Sequence, residues 1–202
     1  FFDAAGENLE QTDSLWYINR YIYNASGIIC LLDPLQLQRV REGIRRKYSE
    51  DVLPAQNAET GTIINRVENL IRKNTNVGSA RIKIPLAVAF SKMDFVRDAS
   101  ENAAEISNRL FDETRHHGVF NESEFADIDG LMRSWVEEVD DTADIIAQSE
   151  NFAQSGFFGF SAIGCNPKGN NERLDRDPRS FRVEDPFLWI LKNYGLIKST
   201  KG

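Results

Sequence analysis

Three short motifs in the sequence combine residue types that can bind phosphates, metal ions and nucleobases. They are Asp3-Ala4-Ala5-Gly6-Glu7, Ser91-Lys92-Met93-Asp94 and Ser161-Ala162-Ile163-Gly164, and each follows an apolar run. Ligands of open α/β sheets bind beyond the carboxyl ends of the strands, so polar residues that follow strands are candidates for a site. The chemistry of the three motifs differs, and we consider each one in turn.

The first motif has the spacing of a phosphate and metal site. Asp3 at the end of a strand could hold a metal ion through water, and Gly6 could offer an unhindered backbone N–H to a terminal phosphate. An ordinary exit from a strand into a turn has the same residues, and this motif taken alone favours that interpretation.

The second and third motifs could recognise a base. The carboxylate of Asp94 could accept hydrogen bonds from N1–H and the exocyclic amine of guanine, while the stem of Lys92 lies along the base and sugar. The small residues Ser161 and Ala162 would let a backbone N–H approach a base oxygen closely. Each motif is also an ordinary loop sequence, but the order, spacing and placement of all three agree.

Buried strands are predicted to position these motifs. Gly27–Leu32, Ile84–Phe90 and Gly156–Phe160 are apolar without interruption, as the central strands of parallel sheets are. They end in the polar residues Asp33, Ser91 and Ser161. Phe1-Phe2 before Asp3 indicates a fourth strand.

Helical periodicity separates the predicted strands. Apolar residues repeat at helical spacing over 15–25 and 63–71, and a helical region over 99–150 contains two helices. The alternation of strands and helices predicts an α/β fold, a three-layer sandwich with a mostly parallel central sheet. Residues 165–182 are rich in Asn, Gly, Pro, Asp and Arg and are predicted to form a mobile loop.

A last helix is predicted from its end signals. Asp185 is expected as its cap, Pro186 at its first position and Gly195 just past its end. Its predicted buried face consists of Phe187, Leu188, Leu191 and Tyr194.

Composition excludes several classes of function. The length of 202 residues fits one domain. The net charge of -7 disfavours nucleic acid and anionic membranes as partners. The apolar runs are too short to span a bilayer, so no membrane insertion is expected. The two cysteines, Cys30 and Cys165, make neither a disulfide framework nor a zinc cluster, and we expect a cytoplasmic location.

Together the three motifs resemble those of the P-loop GTPase superfamily, Ras-like in the broad sense. The first resembles the Asp-x-x-Gly switch motif, the second the Asn/Thr-Lys-x-Asp guanine motif and the third the Ser-Ala motif. The sequences of Phe1–Pro34 and Val183–Leu191 are also similar to those of a bacterial double-GTPase group. The resemblance spans nearly the whole chain, with two departures: Ser91 replaces Asn or Thr, and no Gly-x-x-x-x-Gly-Lys-Ser/Thr phosphate loop occurs.

The resemblance implies a Ras-like fold truncated at its amino-terminal end, the carboxyl-terminal part of a longer GTPase without its phosphate loop and first switch. It implies nucleotide binding by Gly6, Ser91, Lys92, Asp94, Ser161 and Ala162. Asp3 would reach Mg²⁺ through water, with GTP or GDP as the nucleotide. Glu7 stands where Ras-like enzymes have the Gln that orients the attacking water, so it is the candidate catalytic residue, with slow or partner-assisted hydrolysis.

Two functions from different classes follow from these observations. The first is a guanine-nucleotide-binding switch or GTP hydrolase in the intact protein, with a protein effector or regulator as partner. The second is a nucleotide-independent protein-interaction domain with a GTPase-like fold. In both, either a missing amino-terminal segment or self-association is expected at the truncated edge of the sheet. A flavodoxin-like or response-regulator-like domain does not explain Ser91-Lys92-Met93-Asp94 and Ser161-Ala162 together.

Overall fold

The computed structural model describes residues 20–46, 53–55, 62–99, 109–112, 116, 118–139, 143–165, 167–168, 173–174 and 177–201. The strands of these residues are β1 (Ile28–Leu32), β2 (Leu86–Phe90), β3 (Phe120–Asn121), β4 (Ser155–Gly159), β5 (Pro167–Lys168), β6 (Arg173–Leu174) and β7 (Ser199–Thr200). The helices are α1 (Gln38–Arg45), α2 (Thr62–Asn74), α3 (Met93–Ala99), α4 (Glu122–Glu138), α5 (Ala143–Ser149) and α6 (Asp185–Asn193), with a 3-10 helix at Pro34–Gln36. Within the described ranges, no helix has the length and apolar character needed to cross a membrane.

A parallel sheet of three strands, in the order β1-β2-β4, forms the centre of the fold. Every residue of β2 is buried, and its side chains alternate between two apolar clusters. Leu86, Val88 and Phe90 join the cluster that contains α1 and α2, whereas Ala87 and Ala89 pack in the cluster of α6. The fold is therefore mixed α/β, with helices packed on both faces of the sheet, and the three predicted strands are confirmed within two residues at each end.

The amino-terminal end of α6 differs from the prediction. Asp185 is the first helical residue rather than the cap, and the residue at the cap position, Glu184, makes no capping bond with its side chain. The carboxylate of Asp185 instead lies 3.1 Å from a guanidinium nitrogen of Arg182, which draws it away from the helix end. Gly195 follows the helix with a φ of +66°, as predicted.

The predicted buried face of α6 is correct only in part, since Leu188 packs against the cluster on the sheet and Phe187 and Leu191 are partly exposed. Trp189 and Ile190 are buried against the sheet, whereas Tyr194 is half exposed. The predicted set left out Trp189 and Ile190, two apolar residues of the helix that are more deeply buried than the four predicted.

Strand β1 lies at the edge of the sheet that the structure describes. Ile28 N–H donates to Pro85 O and Leu32 O accepts from Ser91 N–H, so the main-chain groups of these residues face β2. Alternate residues of a parallel strand point their main-chain groups to opposite sides, so those of Ile29 and Leu31 face away from β2. The side chain of Leu31 is 60% exposed. That another segment or a second copy covers this edge stays a prediction.

Candidate functional site

The loop after β2 is hydrogen-bonded to both neighbouring strand ends. Ser91 N–H donates to Leu32 O at 3.0 Å, at the end of β1. On the other side, Phe160 N–H donates to Phe90 O at 2.9 Å and Met93 N–H donates to Phe160 O at 3.2 Å. The structure therefore places the predicted guanine motif between Asp33 and the Ser161-Ala162 motif, at the carboxyl ends of the three strands.

The turn between β2 and α3 has an unusual backbone and a charged contact. Lys92 has a φ of +53°, in the left-handed region that few non-glycine residues adopt. Its Nζ lies 2.6 Å from Oδ2 of Asp33, and the Ser91 hydroxyl donates to Leu32 O at 3.2 Å. The side chain of Lys92 is thus paired with the end of β1, a contact that sequence reasoning did not assign.

Asp94 occupies the first turn of α3, two residues after the left-handed Lys92. A carboxylate is favoured there because the N-terminus of a helix carries partial positive charge. The residue is only 3% exposed, so its carboxylate lies beneath its neighbours rather than at an open surface.

The third motif combines a buried anchor with an exposed residue. Ser161 is buried, and its Oγ accepts from Gly164 N–H at 2.8 Å. Its main chain exchanges hydrogen bonds with that of Phe181, at 3.2 and 3.0 Å. Ala162, the next residue, is exposed. Ser161 therefore fixes the loop, while Ala162 lies at its surface.

Gly164 closes this loop where a larger residue does not fit. Its φ is +70°, and a Cβ at this position would lie 1.9 Å from Arg179 O. We expect Gly164→Ala to destabilise the fold by ~1–2 kcal/mol from the left-handed backbone and by a further ~1–3 kcal/mol from the overlap. Urea unfolding would measure both contributions.

Gly78 provides the control for that variant. It has a φ of +58°, but no atom of the described residues lies within 4 Å of the place that a Cβ would take. Gly78→Ala should therefore show the backbone cost alone. An equal loss of stability in the two alanine variants would contradict the proposed overlap at Gly164.

The first motif lies outside the described residues. The metal-binding role of Asp3, the phosphate contact of Gly6 and the catalytic role of Glu7 therefore stay predictions. Among the residues that the structure describes, no group of three or more His, Cys, Asp or Glu side chains could hold a metal ion. The predicted base-binding residues are the ones that the structure brings together: Ser91, Lys92, Asp94, Ser161 and Ala162.

Cys30 is the middle residue of β1. Burial raises the pKa of its thiol to about 12, because a buried thiolate loses its hydration. The thiol is therefore protonated at neutral pH and is a poor nucleophile.

A buried network of charged side chains surrounds Arg182, the residue after Phe181, whose main chain is hydrogen-bonded to Ser161. Arg182, next to Phe181, is 3% exposed and donates to Glu124 at 2.9 Å, Asp185 at 3.1 Å and Leu110 O at 2.9 Å. It connects the residues before α4, α4 itself and the start of α6. Sequence reasoning missed it, since Glu124 lies 58 positions from Arg182 and no local pattern marks the pair.

Comparison with known proteins shows a distant similarity to a curated protein. No family model and no solved structure matches the chain. The chain is similar to a protein of Mycolicibacterium smegmatis named as a putative ESX-1 scaffolding and assembly protein, SaeC, with 28% identity over 208 aligned positions. The match covers 96% of this chain and 51% of the relative, so the chain spans about half the length of the curated relative it matches.

Proposed function

We propose that this chain forms the guanine-binding part of a Ras-like GTPase domain in a longer P-loop GTPase. The observation that carries the proposal is the hydrogen bond from Met93 N–H to Phe160 O. This bond joins the loops that contain the guanine and Ser-Ala motifs, which are 70 residues apart in the sequence counting from Ser91 to Ser161. Two motifs that would contact the same base thus lie on neighbouring strand ends.

Each residue has a separate role in this proposal. Asp94 accepts from N1–H and the exocyclic amine of guanine, and the stem of Lys92 lies along the base. The exposed Ala162 offers its backbone N–H to the base carbonyl. Ser91 and Ser161 hold the two loops in place through Leu32 O and Gly164 N–H, and their part in nucleotide binding is to fix the loops that carry Lys92, Asp94 and Ala162.

The burial of Asp94 adds a condition. A carboxylate that is 3% exposed can accept from a base only if the base replaces some of its present surroundings. The proposal therefore includes a local rearrangement around the first turn of α3 when nucleotide enters. The carboxylate would remain shielded from water afterwards, which strengthens its hydrogen bonds to the base.

The remaining parts of the proposed enzyme lie in the first motif and upstream of this chain. An upstream phosphate loop would hold the β- and γ-phosphates, and Gly6 N–H would contact the γ-phosphate. Mg²⁺ would neutralise charge on the phosphates when bound, and Asp3 would hold it through water. Glu7 could polarise the attacking water but would also repel the phosphate, so slow hydrolysis is expected.

The 202-residue chain alone is expected to bind GTP weakly or not at all. Two hydrogen bonds to the Asp94 carboxylate contribute roughly 1.5–3 kcal/mol each, which corresponds to a Kd between about 6 mM and about 40 μM, and the cost of ordering the ligand and rearranging α3 weakens it further. Titration calorimetry with GTP and Mg²⁺ would measure this. Tight, Mg²⁺-dependent binding by the 202 residues would contradict the need for an upstream phosphate loop.

A nucleotide-independent role in protein assembly is the second candidate. Its support is the relative named as a scaffolding and assembly protein, whose similarity extends over 96% of this chain. The outer edge of β1, with its exposed Leu31, is a surface that a protein partner could use. Guanine-selective binding by the longer protein would favour the first candidate. Absence of nucleotide binding, with protein association retained, would favour the second.

A further inference from the structure

The ion pair between Lys92 and Asp33 joins the ends of β1 and β2 at the proposed base site. We propose that Asp33 is a positioning residue for guanine-nucleotide binding, which holds the Lys92 side chain where its stem can lie along the base. The inference rests on the proposed function and adds a residue to it. Neither the guanine motif nor the Ser-Ala motif contains Asp33.

Asp33 is itself held in place by the main chain. Its Oδ1 accepts from Leu35 N–H at 2.9 Å at the start of the 3-10 helix, while Oδ2 lies 2.6 Å from Lys92 Nζ. The two oxygens thus have different partners, one in the backbone and one in the lysine. A carboxylate fixed in this way is a better anchor than one on a freely rotating side chain, because less conformational entropy is lost when the pair forms.

The backbone of Lys92 is anchored to the same strand end. Ser91 bonds to Leu32 O through both its N–H and its hydroxyl, and Lys92 then turns through a φ of +53°. The P-loop GTPases, which this sequence resembles, usually have Asn or Thr at the position of Ser91. Here the loop is fastened to the end of β1, with Ser91 binding the main chain and Lys92 binding the carboxylate that follows it.

The exposure of the pair leaves the lysine stem accessible. The side chains of Lys92 and Asp33 are 46% and 26% exposed, so the ammonium is paired while part of the stem still faces solvent. A lysine without this anchor would lose the freedom of its four side-chain torsions on binding a base, and the anchor removes part of that cost in advance. The pair should therefore affect affinity for every base that stacks on the stem, while Asp94 decides which base is preferred.

Asp33→Asn in the proposed longer protein removes the charge that pairs with Lys92 but keeps the hydrogen bond to Leu35 N–H, because Asn caps a helix about as well as Asp. We expect the Kd for a fluorescent GDP analogue to rise roughly two- to fivefold, the range of partly exposed ion pairs. The ratio of GDP to IDP affinity should not change. Hypoxanthine, the base of IDP, differs from guanine only in lacking the exocyclic amine, and in the proposal Asp94 rather than Lys92 contacts that amine. The melting temperature without nucleotide should fall by no more than about 4 °C, the loss that one partly exposed ion pair causes in a chain of this size. Asp127→Asn is the matched control, since it removes an exposed ion pair with Arg109, at 3.6 Å, that includes none of the proposed base-binding residues.

A double-mutant cycle with Lys92→Met completes the test, because Met keeps an apolar stem and removes the charge. In that background Asp33→Asn should have no further effect on Kd. An unchanged Kd in Asp33→Asn, or the same rise with and without Lys92, would overturn the positioning role and leave the proposed function standing. No binding of guanine nucleotide by the unmodified longer protein would overturn both.

Discussion

Asp94→Asn in the proposed longer protein is expected to change the preferred nucleotide from guanine to xanthine. The carboxylate of Asp94 accepts from both N1–H and the exocyclic amine of guanine, whereas the amide of Asn offers one acceptor and one donor. The amide donor faces the guanine amine unfavourably but can donate to the carbonyl that xanthine has at the same position. The result is a change of preference rather than a uniform loss of binding.

The expected size of this change follows from the cost of an unmatched polar group in a buried site. Such a group costs about 1–3 kcal/mol, which is roughly a 5- to 150-fold change in relative affinity. Asp94 is buried, so water cannot easily compensate for the mismatch. Competition of GTP, ATP and XTP against a fluorescent GDP analogue would measure the preference of the unmodified protein and of the variant.

Asp127→Asn serves again as the control, because it makes the same chemical change in an exposed side chain of α4. It should leave GTP preferred over XTP and ATP. If Asp94→Asn keeps the preference of the unmodified protein, Ser91-Lys92-Met93-Asp94 is an ordinary loop and the guanine assignment is wrong.

The central sheet could be predicted because its signal is local. Each strand is a short apolar run, and burial on both faces removes the alternation that a half-exposed strand would show. β2 illustrates this, since Leu86–Phe90 is buried at every position. The proximity of the second and third motifs was predictable for the same reason, because each directly follows its strand and the parallel register brings the strand ends together.

Contacts between distant parts of the chain account for what the sequence did not predict. The partner of Lys92 is Asp33, 59 positions away, and Arg182, which pairs with Asp185, is also bound by Glu124, 58 positions away. The buried face predicted for α6 also left out Trp189 and Ile190, which pack in one apolar cluster with Ala87 and Ala89 of the sheet. Such pairings depend on the assembled fold, and residue spacing does not encode them.

Arg182→Met is expected to destabilise the folded chain by roughly 3–5 kcal/mol, the usual cost of breaking a buried ion pair by removing one partner. Arg182 lies between the carboxylates of Glu124 and Asp185, and all three side chains are under 9% exposed. The methionine would fill part of the volume, but the two negative charges would remain in a poorly hydrated region without the guanidinium between them. Urea unfolding at neutral pH would measure the loss.

Arg109→Met is the matched control, because Arg109 forms a 3.6 Å ion pair with Asp127 and both side chains are more than 60% exposed. Exposed pairs contribute little, so this variant should stay within about 0.5 kcal/mol of the unmodified chain. A loss in Arg182→Met no larger than that in Arg109→Met would contradict a stabilising role for the network.

A second substitution distinguishes charge from packing as the cause of the loss. If the uncompensated carboxylates are responsible, Asp185→Asn in the Arg182→Met background should recover part of the stability, although the same change alone removes a partner of Arg182 and destabilises. The neighbouring His116, whose Nε2 lies 3.6 Å from Asp185 Oδ1, loses its contact with the carboxylate when Asp185 is replaced in either background, so this loss cancels from the coupling energy, which compares the effect of Asp185→Asn with and without Arg182. No recovery in the double variant would show that Arg182 stabilises the fold through its stem and its hydrogen bonds to Leu110 and Arg109 carbonyls rather than through its charge.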